Sequence, residues 1–252
     1  MVPDELCWAA SSPAVAHVIV DGSLDEHLAV DGRDGHHLGR VRRLRVGELV
    51  TAADGDGRWR EYRVAAASRG SVALEAHGAP RMEPSLQPLL AVAFALTKGE
   101  KPETVVARLT ELGVERVIPV AAARSVARWE PSRAEAATHR LERVAREAAM
   151  QSRRSRLTTV EPPVPIATLA GHPGLVVADR DGGPATDLPA PGPEGWLLVV
   201  GPEGGLDEGE LEIFGAAPRL GVGPHVLRAE TAAVAAAAAL TTRRRAARGH
   251  GG

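Results

Sequence analysis

The sequence predicts an α/β protein built as a small β-rich module followed by a parallel sheet with helices on both faces. Three observations carry this. Residues 48–76 fall into short β-prone runs separated by turn signals, residues 78–88 hold three prolines without periodicity, and from Leu89 onward apolar runs alternate with amphipathic helical ones. Strands separated by helices form parallel sheets, because each crossover has to return along one face of the sheet.

In the N-terminal module, Ala16 to Val20 is a candidate strand, and Asp34 is placed to cap a helix through HHLGRVRRL that stops at Gly47. Glu48–Ala53, Trp59–Ala67 and Ser71–Ala76 follow as a meander, with DGDG at 54–57 as its hairpin turn. This sets a module at residues 1–78 and a linker at 79–88. In the C-terminal domain, 89–252, LLAVAFAL is a buried strand. KPETVVARLTELG is a helix with Pro102 in its first turn and Gly113 as its stop, and RVIPV is the next strand. A long helix runs from about Pro131 to Gln151, with strands at Leu175–Ala178 and Trp196–Val200. A helix from about Asp207, a short strand at Arg219–Val222 and an Ala-rich helix, Glu230–Arg245, complete the order.

Composition narrows the function. A net charge of −2 over 252 residues is no global signature of nucleic-acid binding, so any such role has to come from local patches. One cysteine, Cys7, excludes a disulfide framework and a multi-cysteine zinc site and fits a reducing, cytoplasmic setting. The nine histidines form no metal-ligand pattern, so no metal is expected. No run approaches the roughly 20 apolar residues of a membrane span, and no signal peptide is evident. All but two of the 30 basic residues are arginine, and the lysines, Lys98 and Lys101, sit together in LTKGEKPE.

LVVGPEGGLDEGELEIFG (198–215) places three glycines and a proline between a strand and a helix. Such a turn serves either a tight reversal or the approach of a ligand to the main chain. Strand ends of parallel sheets are where ligands sit. The dinucleotide fingerprint is absent, since Gly221 and Gly223 are followed by Val226 at the third position, and nothing like Gly-Lys-Ser/Thr follows Gly205. What remains is a pair of strand-end loops, GPEGG and LGVGPHVLRAET, separated by one helix.

Together these loops resemble the two signature motifs of the SPOUT methyltransferases, and in detail the RsmE-type 16S ribosomal RNA uridine-N3 methyltransferases. The resemblance extends to LTKGEKPETVVARLTELGVERVIPV, to Arg-Ser-Val at 124–126 and to AAMQSRRSRL at 148–157. It also includes VDGRDGHHLGRVRRLRVGE, which resembles that family's PUA-like RNA-binding module. Where family members carry Glu-Gln-Ser-Gly-Arg, this chain has Met150, Gln151, Ser152, Arg153 and Arg154. The resemblance implies a trefoil-knotted parallel sheet behind a small PUA-like β-barrel, an exception to the rule against threaded chains. It further implies S-adenosylmethionine as cofactor, a homodimer and a 16S rRNA or small-subunit substrate. Gly201, Gly204 and Gly205 would let one loop cross another and admit the cofactor. Val200, Leu220, Val226 and Leu227 would wall its adenine, with Pro202, Glu203, Gly221, Arg228 and Thr231 completing the two loops.

Arg40, Arg42, Arg43 and Arg45 form one candidate RNA contact and Arg153, Arg154 and Arg156 another, with Lys98, Lys101 and Arg124 in the matched segments as further candidates. A solvated helix face is the competing account of the first cluster. Arg228 and Glu230 are the candidate catalytic pair: a fixed positive charge beside a uracil would stabilise negative charge on the ring. Their structural alternative is an ion pair with capping of the last helix by Thr231 or Glu230. Glu203 could hold its loop or orient substrate, and His36, His37 and His225 are read as structural or RNA-facing. Methylation at carbon 5 needs a cysteine nucleophile, for which Cys7 is poorly placed. A ribose 2′-O methyltransferase and an RNA-binding module without catalysis stay as alternatives.

Overall fold

The structure is a computed structural model that describes residues 8–36, 38–39, 43–97, 101–125 and 131–248. The chain divides into two compact units, residues 1–85 with 149–157, and residues 86–148 with 158–252.

In the first unit, β1 (Ala16–Ile19), β2 (His27–Val30), β3 (Leu49–Ala53), β4 (Arg58–Ala67), β5 (Val72–Ala76) and β6 (Arg81–Met82) form one sheet. Its order is β1-β3-β4-β5-β2, with β6 on β4 and only β1–β3 parallel. Val18, Val50, Tyr62, Val72 and Leu74 fill its core. The expected hairpin turn is present: the Asp54 carboxylate accepts from the backbone N–H of Asp56 and Arg58, and Gly55 and Gly57 take positive φ. The helix expected after Asp34 begins earlier, as α1 (Gly32–His36), and residues 38–39 are helical as well; His37 and residues 40–42 lie outside the described residues. Gly35 presses against the carbonyls of Val30 and Gly70, so packing against neighbouring backbone fixes this turn.

The expected limits shift at two places. Arg58 pairs with Met82 and Trp59 with Arg81, so some of the expected linker is strand and the boundary falls after Ser85. Residues 149–157, expected in the C-terminal domain, pack in the first unit. Gly57 donates to the Ser155 carbonyl, Leu157 to that of Gly55, and Ser155 N–H to the buried Glu83 carboxylate. His17 lies beneath this segment, its Nε2 donating to the Arg154 carbonyl (3.1 Å) and its Nδ1 accepting from the Thr51 hydroxyl (2.8 Å). Burial, helped by the Arg153 charge and opposed by the carbonyl bond, lowers its pKa from 6.5 to about 4.

The second unit holds β7 (Leu90–Ala95), α2 (Lys101–Glu111), β8 (Arg116–Ala121), α3 (Pro131–Ser152, whose residues from Ala149 belong to the first unit), β9 (Thr159–Val160), β10 (Val164–Pro165), β11 (Leu175–Gly183), β12 (Trp196–Val200), α4 (Glu208–Phe214), β13 (Arg219–Leu220) and α5 (Ala229–Arg248). All its strand pairs are parallel, in the order β10-β8-β7-β12-β11-β13 with β9 on β8. The central strands read as unbroken apolar runs because both faces are covered. Val92, Leu198 and Val200 pack against Leu109 of α2, Leu141 of α3 and Ala236 and Leu240 of α5, while Ala93, Ile118 and Val199 lie in a second cluster with Phe214 of α4. β12 inserts between β7 and β11, so the chain reverses its direction of growth there, a topology that opens a crevice at the strand ends. Nearby, two backbones meet directly. A Cβ on Gly182 would lie 2.7 Å from backbone atoms of Arg219, Leu220 and Gly221, and one on Gly221 would overlap the Gly182 carbonyl.

Candidate cofactor and RNA site

A cavity of about 170 Å³ opens at the carboxyl ends of β11, β12 and β13, beside the start of α5. Of the expected cofactor residues, Val200, Gly201, Pro202, Glu203, Gly205, Leu220, Val226 and Leu227 line it, while Gly204, Gly221, Arg228 and Thr231 do not. Ala178, Asp179 and Arg180, which follow the stretch of β11 paired with β12, and His225 in the loop after β13, also line it. The sequence signal for the β11 residues was the polar DRDGG run ending an apolar strand; their proximity to the glycine loops depends on β11 lying between β12 and β13.

The GPEGG loop is held from several sides. Gly205 takes φ +71° and donates to the Pro202 carbonyl (2.8 Å), closing a tight turn. Arg124 donates to the Gly204 carbonyl (2.9 Å) and, less closely, to that of Leu206 (3.4 Å). Asp207 and Glu210 form a capping box at the start of α4, and the other oxygen of the buried Glu210 accepts from Ala123 N–H (2.7 Å). Arg124, expected on RNA, thus has an exposed side chain that braces this loop. The expectation that Gly204 sits at a crowded crossing fails: a Cβ there would meet only the Arg124 side chain, at 3.5 Å. The crowding belongs to Gly182 and Gly221.

At the cavity rim, Lys101 Nζ lies 3.3 Å from Oε1 of both Glu203 and Glu230. The ion pair of Glu230 is therefore with Lys101, not with Arg228 as the structural alternative supposed. The Glu230 backbone N–H at the helix start, together with Lys101 and the Arg228 charge, holds its carboxyl below the usual range against the effect of burial. The Glu230 bond foremost holds the Lys101 ammonium above its usual value. Arg228 and Thr231 are exposed.

Residues 85–241 match the family model described as RNA methyltransferase domain, and residues 30–76 that of RNA methyltransferase PUA domain. The chain belongs to this RNA methyltransferase family. It is 36% identical over 216 residues to the Ribosomal RNA small subunit methyltransferase E of Mycobacterium bovis, covering 81% of this chain and 82% of that one. Against the protein of the same name from Bacillus subtilis the identity is 29% over 219 residues, with 81% and 86% covered. The fold is shared with Ribosomal RNA small subunit methyltransferase E from Neisseria gonorrhoeae bound to S-adenosyl methionine, at TM-score 0.78 and 24% identity over 90% of this chain and 97% of that one. The putative methyltransferase Lpg2936 from Legionella pneumophila, in complex with the cofactor SAM, also shares it, at TM-score 0.78 and 24% identity over 92% and 97%.

In this RNA methyltransferase the candidate RNA residues separate into groups. Arg43 and Arg45 are exposed in the first unit, while Arg40, Arg42 and Lys98 lie outside the described residues. Arg154 is 7% exposed, which removes its side chain from any RNA surface and corrects the expectation made for it. Arg153 donates to the Ser12 carbonyl (3.0 Å) and Arg156 to the Glu83 carbonyl (3.1 Å), so both anchor the 149–157 segment while staying partly exposed. Arg153 also takes φ +57°, with Arg153 N–H bonded to the Met150 carbonyl and Arg154 N–H to that of Ala149. That is the Schellman ending of α3, whose left-handed position is usually glycine, and this chain has arginine there. Among the described residues no helix is long and apolar enough to cross a membrane, and no cluster of acidic, His or Cys side chains is placed to hold a metal ion.

Proposed function

We propose that this RNA methyltransferase transfers the methyl group of S-adenosylmethionine to N3 of a specific uridine in 16S ribosomal RNA. The observation that carries it is the cavity at the ends of β11–β13, with the Lys101–Glu230 pair and Arg228 beside it, in a chain of this family. The residues fit the cofactor. Val200, Leu220, Val226 and Leu227 offer apolar walls for an adenine, and at Gly201, which also lines the cavity, a Cβ would press on Leu206 at 3.0 Å and disturb the loop. Asp179 and Glu203 place carboxylates at the edge, suited to a cationic, hydroxyl-bearing ligand. Bound there, S-adenosylmethionine supplies an electrophilic methyl carbon.

The chain's own work is orientation and electrostatics. The uracil N3–H gives its proton to solvent, a bond forms between N3 and the methyl carbon, and the carbon–sulfur bond breaks. Arg228 stabilises negative charge on the ring, and Glu230, kept ionised, orients the cations around it. Arg40, Arg42, Arg43 and Arg45 of the first unit grip RNA, the second unit alone holds the cofactor, and the active protein is a homodimer in the cytoplasm. Calorimetry tests the cofactor site: one S-adenosylmethionine per chain is expected, with affinity lost in Gly201→Val. Unchanged affinity in a folded Gly201→Val variant would contradict this placement.

A further inference from the structure

Lys101 opens α2 just beyond β7, and β7 pairs with β12 in a register that sets Phe94 against Val200. Three residues past Val200, Glu203 reaches its ammonium, and Glu230 reaches it from the first turn of α5. Three separate elements therefore converge on one nitrogen. An ammonium has three N–H donors. Two lie toward the carboxylates, and the side chain keeps 37% of its surface exposed, which leaves a donor for a ligand. Glu203 also lines the cavity, so this donor stands at its rim.

Uracil N3 lies between two carbonyl carbons. When its proton leaves, the negative charge resides largely on the two flanking oxygens. One cation at one oxygen supports half of that anion, and the site has two cations around Glu230: Arg228, whose charge acts on that carboxylate, and Lys101. We infer that Lys101 is a second catalytic residue, donating to uracil O4 while Arg228 serves O2, and that it thereby selects uracil over cytosine. Cytosine has no proton on N3 and presents an amino group where uracil presents an oxygen, so a fixed ammonium there repels it. The two carboxylates hold the ammonium in place and protonated. Glu230 and Glu203 are the charged groups that act on it among the described residues, and the Arg228 charge acts on Glu230 in turn.

This rests on the uridine-N3 reaction proposed above, and single-turnover methylation of 16S RNA by the parent tests that reaction first. A product other than N3-methyluridine from the parent overturns the function. With that product established, Lys101→Gln and Lys101→Arg are compared across a pH series, alongside calorimetric titration with S-adenosylmethionine and thermal melting. Lys101→Gln is expected to lower the rate about 10²-fold, the size of effect seen when one donor to a developing anion is removed. The rising limb of its pH–rate profile should move to higher pH, because N3 loses a cation that eases its deprotonation. Its cofactor affinity should match the parent's, and Lys101→Arg should recover most of the rate. An unshifted profile with a rate loss that follows weakened cofactor affinity would show that Lys101 only ties Glu203 to Glu230, and would overturn the inference.

Discussion

Arg153 stands where the end of α3 favours glycine, and its backbone has kept glycine's conformation at φ +57°. A left-handed residue with a Cβ costs roughly 1–2 kcal/mol, some of which the bond to the Ser12 carbonyl offsets. Arg153→Ala removes the bond and keeps the strain, whereas Arg153→Gly removes both. Urea unfolding should find the glycine variant more stable than the alanine variant by about 1 kcal/mol; the opposite order would contradict the strained-cap account. The departure from the family's Gly was visible in the sequence, but its strain was not. His17 was likewise visible only as a residue in a strand, because its partners lie 34 and 137 residues away. Its pKa near 4 means that between about 4 and 6.5 the unfolded chain is protonated at His17 and the folded chain is not. The contribution is complete above 6.5 and is lost as pH falls toward 4, a difference of about 3 kcal/mol. Denaturant unfolding of parent and His17→Gln at pH 7.5 and 4.5 should show the variant's stability falling less. Equal losses would refute it.

Elements with long apolar runs were legible, because β7, β8 and β12 are buried on both faces and need no partner to declare themselves. β2, β6, β9 and β10 were not, since these short and mostly unburied segments carry no apolar run of their own and take their identity from the strand they pair with. The start of α4 near Asp207 was readable from LDEGE, but its capping box and the Glu210 bond to Ala123, 87 residues away, were not read there. The glycine motif drew attention to Gly204, whereas the structure puts the tight contact at Gly182 and Gly221. Gly182→Val has to push a pair of backbones apart and should lower stability by about 3 kcal/mol or more. Gly204→Val meets only a movable arginine side chain and should melt close to the parent. Thermal melting that reversed this ranking would contradict the assignment of the close contact.

At the scale of the whole molecule, the predicted β-rich module and parallel sheet are both present, and what local pattern could not supply was order in space. Periodicity does not say that β12 lies between β7 and β11, and this insertion is what gathers Ala178, Asp179 and Arg180 beside the two glycine loops. Nor could it say that residues 149–157 join the first unit, where they bury Arg154, a residue that the basic pattern alone had placed on RNA. The site's core in sequence, GPEGG and VLRAE, was readable because glycine and charge at strand ends have few other uses. Its acceptor atom is the central claim. The most direct test is mass-spectrometric mapping of modified nucleosides in 16S rRNA from cells lacking this protein, before and after the purified protein and S-adenosylmethionine are added to that RNA or its small subunit. One N3-methyluridine should be missing and then restored, with every ribose methylation unchanged. An unaltered N3-methyluridine, or a missing methyl on a ribose oxygen, would contradict the assignment.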